Sequence, residues 1–180
     1  MIEIISVISS LLCVYLTAKK NILCWPVGIV AVVGYMWIFY TNGQMANTIL
    51  QFVFLAQSLF AWWNWETRFK WSLPKNWLKI LIIGIIPLSL LIYGILLQSV
   101  SNQPELDAIT TSLSLIGMLL LAYKKYEAWI AWIIADILYV IMFAIDGELL
   151  LMSNYIILLG IASWGLIKWK RENGRIEDRG

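Results

Sequence analysis

Residues 129–147 read WIAWIIADILYVIMFAIDG, and residues 25–43 read WPVGIVAVVGYMWIFYTNG. Shifting the chain by 104 places Trp25 on Trp129, Ile29 on Ile133, Ala31 on Ala135, Tyr35 on Tyr139, Phe39 on Phe143 and Gly43 on Gly147. The match continues through Leu55 on Leu159 to Trp65 on Trp169, giving eight identities in the 41 ungapped positions from Trp25 to Trp65. With one extra residue in the second copy, Lys19-Lys20 also falls on Lys124-Lys125. Apolar composition inflates chance matches, but coincident Trp, Tyr, Phe and Gly landmarks are hard to obtain by accident. A repeat of this length governs the fold and is read before any other feature.

The runs around these landmarks are membrane spans. Of 180 residues, 61% are hydrophobic and 13% are charged, about half the charge usual in soluble domains. About 20 apolar residues cross the hydrocarbon core as a helix, with about 17 as a practical minimum. Seven runs qualify: Ile2–Ala18, Ile22–Thr41, Met45–Trp65, Trp77–Gln98, Leu106–Ala122, Ala128–Ile145 and Leu149–Trp169. The fifth is the most polar, with Thr110, Thr111, Ser112 and Ser114 in its outer half, which predicts a helix facing other helices or a water-filled cavity. Trp25, Trp62, Trp63, Trp65, Trp77, Tyr123, Tyr126, Trp129 and Trp169 cluster at span ends, as an interfacial aromatic belt requires. The polar segment from Arg171 to Gly180 is expected to fray.

Charge checks the count. All thirteen Lys and Arg residues (Lys19, Lys20, Arg68, Lys70, Lys75, Lys79, Lys124, Lys125, Lys168, Lys170, Arg171, Arg175 and Arg179) fall on one side of a seven-span topology. The opposite connections, near Asn42–Gln44, Asn102–Asp107 and Asp146–Glu148, hold none. The positive-inside bias orients the chain with its N-terminus outside and its C-terminus in the cytoplasm. Each repeat holds three helices and one helix lies between them, so both copies enter the membrane in the same direction. The expected fold class is therefore an all-α membrane protein with seven transmembrane helices, three plus one plus three, and two parallel repeats. A ligand site belongs between the halves of such a pair. Residues 1–66 form the first repeat, 67–105 the linker helix and its loops, 106–170 the second repeat and 171–180 the polar tail.

Several function classes fall away. A net charge of +2 gives no reason to expect nucleic acid, and the basic residues lie where lipid headgroups meet them, making membrane lipid a partner. The chain has no histidine, and its two cysteines, Cys13 and Cys24, suit inert packing. The first run lacks a basic n-region and an A-x-A cleavage site, so it reads as a retained helix. There is no Walker A loop, no Cys/His cluster, no paired-acid D-x-x-x-D and no G-x-S-x-G, so neither a catalytic residue nor a metal or cofactor site is expected. Ser72-Leu73-Pro74-Lys75 has S-x-x-K spacing but reads as a solvated connector.

Asp136 is the only ionisable residue in the middle of a span. An Asp at a helix centre costs roughly 2.5–3.5 kcal/mol on insertion scales, and no span interior offers a Lys, Arg or His to neutralise it. It is protonated and hydrogen-bonded to another helix, faces water, or pairs with a cationic ligand. Its counterpart in the first copy is Val32, so a three-helix unit folds without the acid. Trp129, Trp132, Asp136, Tyr139 and Phe143 lie within an arc of roughly 80° on one helix face. Indoles beside a carboxylate can hold a flat cation, because ring faces attract positive charge and the acid supplies the counter-charge. On the third helix Asn47, Gln51, Phe54, Ser58 and Trp62 share a face, and the deep Gln51 amide can bond a hydroxylated ligand. Asn154 matches Asn47 in depth and Tyr155 corresponds to Gln51, with interhelical hydrogen bonding the plainer role for each. Pro26 and Pro87 could loosen their helices.

The stretch Tyr126-Glu127-Ala128-Trp129-Ile130-Ala131-Trp132 through Asp136, with Asp146-Gly147 and Tyr155-Ile156-Ile157-Leu158, resembles the PnuC family of bacterial vitamin transporters. Trp25-Pro26-Val27-Gly28, Gln51 and Ala61-Trp62-Trp63-Asn64-Trp65 extend the resemblance over nearly the whole chain. It implies a seven-helix fold similar to SWEET sugar transporters, often trimeric, in the bacterial inner membrane. It also implies facilitated diffusion of nicotinamide riboside, thiamine or riboflavin, trapped inside by phosphorylation. Carried over by position, Trp129 and Trp132 flank the ligand ring and Gln51 bonds its hydroxyls. From the residues of this chain, Trp25, Tyr139, Asn47, Asn154 and Tyr155 complete the candidate site. Two positions depart from the nicotinamide riboside pattern: Asp136 stands where Asn is typical, and Ala128 where Asn tends to precede the first Trp.

Nicotinamide riboside and thiamine carry a fixed positive charge that a carboxylate suits, whereas riboflavin is neutral and gains nothing from it. A uniporter for a cationic vitamin precursor is the leading expectation, nicotinamide riboside first and thiamine second. Proton-coupled uptake through Asp136 and a non-transporting membrane scaffold or receptor subunit are the alternatives.

Overall fold

The computed structural model describes residues 1–67, 74, 76–96 and 103–177. The regular structure among them is helical throughout: α1 (Ile2–Ala18), α2 (Cys24–Thr41), α3 (Met45–Glu66), α4 (Trp77–Leu96), α5 (Pro104–Ala122), α6 (Glu127–Asp146) and α7 (Leu149–Glu177). Each corresponds to one of the seven apolar runs. By length and composition α2, α5, α6 and the Leu149–Asn173 part of α7 can cross a membrane, and α1 is a shorter apolar helix. In α3, Asn47, Gln51, Gln57, Ser58 and Asn64 dilute the apolar character of a 22-residue helix. The Ser72–Lys75 connector lies, except for Pro74, outside the described residues.

Two expectations change. The segment after Arg171 does not fray at once, because α7 runs on to Glu177. Pro26 does not loosen α2: it sits in the first turn of a helix that begins at Cys24, where backbone N–H groups have no intrahelical partner to lose.

The turns of the two triplets coincide at an offset of 104. Lys20 and Lys124 both adopt positive φ, 54° and 55°, and donate backbone N–H groups to Thr17 and Leu121 at 2.8 and 2.9 Å. The next residues, Asn21 and Lys125, donate to Leu16 and Leu120, each at 3.0 Å. Lys20 thus corresponds to Lys124, which corrects the pairing of Lys19-Lys20 with Lys124-Lys125 and removes the extra residue. At the opposite end Gly43 and Gly147 have φ of 72° and 74°, and Gln44 and Glu148 donate to Phe39 and Phe143 at 2.9 Å. This is the Schellman closure, in which a glycine in the left-handed region lets the chain turn back over the last helical carbonyls.

Neighbouring helices pack in the order α1–α2–α3 and α5–α6–α7, and the ring closes where α3 meets α5 and α7 meets α1. The fourth helix lies against α5. The outward face is apolar, and some buried positions are hydroxylated. On α6, Ile130, Ile134, Ile137 and Ile141 are 43–46% exposed along the outward face. On α5, Thr110, Thr111, Ser112 and Ser114 are buried, as the polarity of the fifth run required. The larger cluster of buried apolar residues gathers at the end rich in lysine, around Ala18, Cys24, Trp25, Ala61, Trp65, Ala122, Ala128, Trp129, Ala162 and Trp169.

Candidate functional site

The basic end is closed by four tryptophans. Trp25 meets Trp65 edge-on, with ring centroids 5.1 Å apart and planes at 89°. Trp129 meets Trp169 in the same way, at 5.6 Å and 86°. Trp65 and Trp169 then touch each other at 6.3 Å, joining the two pairs. Edge-to-face contact places the positive rim of one indole on the negative face of the next. Each inner indole also sews a seam of the ring: Trp65 Nε1 donates to the Leu121 carbonyl at 2.9 Å, and Trp169 Nε1 donates to Ala18 at 3.1 Å. Lys124 Nζ lies 4.7 Å from the Trp65 ring and Lys20 Nζ 4.9 Å from the Trp169 ring. All four indoles are at most 7% exposed, so they plug the ring rather than serve in an interfacial belt. Depth along a span is readable from sequence, but the direction a span end faces is not.

Toward the middle of the bundle, α6 sends its two site tryptophans to different neighbours. A Cβ added to Gly165 of α7 would lie 2.7 Å from the Trp129 ring, and one added to Gly117 of α5 would lie 2.8 Å from Trp132 Nε1. The two glycines therefore hold the space that the indoles fill. Trp129 belongs to the plug, and Trp132 stands one turn deeper against α5. The indole N–H groups of Trp25, Trp129 and Trp132 are buried without a hydrogen-bond partner among the described residues. Asp136 follows about 6 Å beyond Trp132 along the axis. Its side chain is 3% exposed and, among the described residues, forms no hydrogen bond or ion pair. It does not face outward as the isoleucines of α6 do.

Beyond Asp136 the lining is aromatic and hydroxylated. Tyr139 stacks on Tyr155 at 4.4 Å, and Phe143 extends the stack at 5.4 Å from Tyr155. The Tyr139 hydroxyl faces Thr110, Thr111 and Ser114 of α5. Tyr155 lies within electrostatic reach of Asp136, Tyr139, Asp107 and Tyr35, so residues of α2, α5, α6 and α7 converge there. Tyr35 was absent from the sequence candidates, although its identity with Tyr139 across the repeat was a usable signal. In α2 it stacks on Phe39 as Tyr139 stacks on Phe143, with centroids 6.3 and 6.0 Å apart.

The remaining candidates are more scattered. Gln51 and Asn154 are half-buried, and among the described residues neither side chain has a hydrogen bond. Asn47 lies at the rim, where its amide donates to Gln44 Oε1 at 3.0 Å. Trp25 is in the plug, away from Asp136. The half-buried Gln57, not singled out from sequence, ties α3 to α5 by donating to the Leu115 carbonyl at 3.2 Å.

A family model described as nicotinamide mononucleotide transporter matches residues 1–171. The nicotinamide riboside transporter PnuC of Escherichia coli is 28% identical over 209 residues, covering 96% of this chain and 87% of that protein. The transporter of the same name from Neisseria mucosa is 26% identical, over 95% of this chain and 74% of that one. The crystal structure of the vitamin B3 transporter PnuC superimposes with a TM-score of 0.75 at 21% identity, covering 97% of this chain and 82% of that one. The shared fold and the match along nearly the whole length identify the chain as an all-α, multi-pass membrane protein that belongs to the nicotinamide mononucleotide transporter family.

Proposed function

We propose that the protein carries nicotinamide riboside into the bacterial cell by facilitated diffusion through the ring of α1–α3 and α5–α7. The observation that carries this reading is the unpartnered, buried carboxylate of Asp136, one turn from Trp132 and beside a tyrosine stack. A permanent cation with a flat ring answers all three: the acid supplies its counter-charge and the ring faces attract it. The same chemistry chooses between two ligands named among the relatives. A mononucleotide adds a phosphate dianion, which Asp136 repels, and no span interior has a Lys or Arg to receive it. The riboside has no such group.

The arrangement we propose is three plus one plus three, similar to the SWEET transporters, with like-oriented repeats at 1–66 and 106–170 joined through 67–105. It is supported by the matched turns and by the two seams that correspond in topology, α3 on α5 and α7 on α1. All seven helices then span the inner membrane, with the N-terminus outside and the basic end in the cytoplasm. The tryptophan plug becomes the cytoplasmic barrier, and the site at Asp136 opens from the outer side. Trp129 and Trp132 form the inner wall of the site, Gln51 and Asn154 offer amides to ribose hydroxyls, and Tyr139 and Tyr155 bound it outward. Assembly as a homotrimer rests on the family resemblance.

Titration of the purified protein, followed by tryptophan fluorescence, tests the reading. Nicotinamide riboside is expected to bind, and D136N to weaken it by about 10- to 100-fold, as loss of a hydrogen-bonded charge pair does. The neutral dihydro form of the riboside should change by less than about threefold, because it has no charge for the acid to meet. Equal losses for both ligands would exclude charge pairing. Thiamine in the same titration decides between the two cationic vitamins, and uptake into liposomes without a pH gradient separates uniport from proton coupling.

A further inference from the structure

The two seams that close the ring are built differently at the basic end. Along α3–α5, Asn64 reaches across and donates its amide to the Ala122 carbonyl at 2.8 Å. The residue 104 positions later is Lys168, whose ammonium instead lies 5.4 Å from the ring of Trp164 on its own helix. Trp164 stacks on Tyr15 of α1, 5.8 Å between centroids and 18° between planes, and Lys19 stands 4.5 Å from that Tyr15 ring. One cation therefore stands by each ring of an aromatic pair that bridges α1 and α7. Beside it is a cavity of about 330 Å³ lined by Trp164, Ile167, Lys168, Arg171 and Glu172. Glu172 is engaged by Lys20 at 2.6 Å. Among the described residues Lys19, Lys168 and Arg171 have no carboxylate partner, which leaves two positive charges on the cavity wall and a third beside the adjoining Tyr15 ring.

We propose that this seam binds the phosphodiester headgroup of an anionic phospholipid, held between Lys19 of α1 and Lys168 and Arg171 of α7. Arg171 presents a planar fork suited to two phosphate oxygens, and the lysines act as point charges. Trp164, 39% exposed, and Ile167, 53% exposed, provide an apolar wall beneath the headgroup for the glycerol and upper acyl chain. The depth agrees, because these residues lie in the last turns of a membrane helix, where headgroups meet the protein. A second copy is the poorer occupant, because the patch is basic and its one acid is already spent on Lys20. The lipid would do for α1–α7 what the Asn64 amide does for α3–α5: join the two helices across the closing seam. The inference uses only the headgroup depth of the α7 end and does not depend on which vitamin is carried.

Native mass spectrometry of the detergent-solubilised full chain, with phosphatidylglycerol or phosphatidylcholine added, tests it. The wild-type protein should retain phosphatidylglycerol in preference to phosphatidylcholine. The double variant Lys168→Gln, Arg171→Gln should lose about 30-fold in affinity for that lipid, at about fivefold for each basic side chain facing an anionic headgroup. Lys170→Gln, at the same depth but outside the cavity, should stay within about twofold, and inorganic phosphate should not displace the lipid. Equal retention of both lipids, an unchanged double variant, displacement by phosphate, or loss of oligomer in place of lipid would each overturn the proposal. Nicotinamide riboside titration of the double variant separates this outcome from a failure of the transport assignment, because the two sites share no residue.

Discussion

One turn past the first tryptophan, α2 has Gly28 and α6 has Trp132, and the helices they pack on carry the opposite sizes. A Cβ on Gly28 would lie 2.8 Å from Cys13 Sγ of α1, whereas Trp132 rests on Gly117 of α5, the residue 104 after Cys13. Further along, Val32 is the repeat counterpart of Asp136, and Gln51 that of Tyr155. The helix ends, by contrast, agree in detail: the turns at Lys20 and Lys124, the glycines at 43 and 147, and the paired tryptophans of the plug. The triplets thus share their turns and tryptophan pairs, and they differ at mid-depth and where Asn64 gives way to Lys168. A volume exchanged between two contacting positions leaves helix spacing intact, so the second triplet gains an indole and an acid without a new backbone.

The strongest way to break this comparison is to make the second triplet resemble the first at its acid. D136V should abolish measurable binding of the cation, a loss of about 100-fold or more. It should also raise thermal stability by up to about 3 kcal/mol, because the removed carboxylate has no partner to lose. A fall in melting temperature would show that Asp136 holds the fold. The glycines come next. G117A forces Trp132 aside and should weaken nicotinamide riboside by about tenfold while costing 1–3 kcal/mol, roughly, in unfolding by urea. G28A should cost a similar amount of stability through Cys13 yet leave affinity within about twofold, since Gly28 packs on α1 outside the proposed site. Matching affinity losses would remove the distinction between the triplets.

The plug sharpens the symmetry. W65F and W169F each delete one indole N–H bond across a seam and should destabilise equally, by about 1 kcal/mol, with a leak of solutes through reconstituted liposomes. The smallest effects belong to the lysines over those rings. K124M should cost about 0.5–1 kcal/mol in cation–π attraction, read as a shift in melting temperature. K20M loses the same contact and its ion pair with Glu172, which adds no more than about 1 kcal/mol at a partly exposed site.

Much of this architecture was written in the chain. The seven helices follow from apolar runs of membrane length, and the matched turns follow from glycines and aromatic landmarks spaced 104 apart. The isolation of Asp136 was also plain, because a count of span-interior charges needs no coordinates. The burial of α5 among other helices followed from its hydroxyl run. What sequence could not supply was azimuth. Trp25, Trp65, Trp129 and Trp169 stood at span ends and so resembled a lipid-facing belt, yet they meet on the inside of the ring. Tyr35 likewise joined the site only when α2, α5, α6 and α7 were seen to converge.

Hydropathy and charge report depth, since water, headgroup and hydrocarbon each impose a different transfer cost on a side chain. Those costs alone determined the helices and the single acid at mid-membrane. They are nearly the same for an indole turned to lipid and one turned to another indole. Which side chains meet across the ring was therefore decided by packing between segments from 56 to 151 residues apart, and only the tertiary structure holds that information.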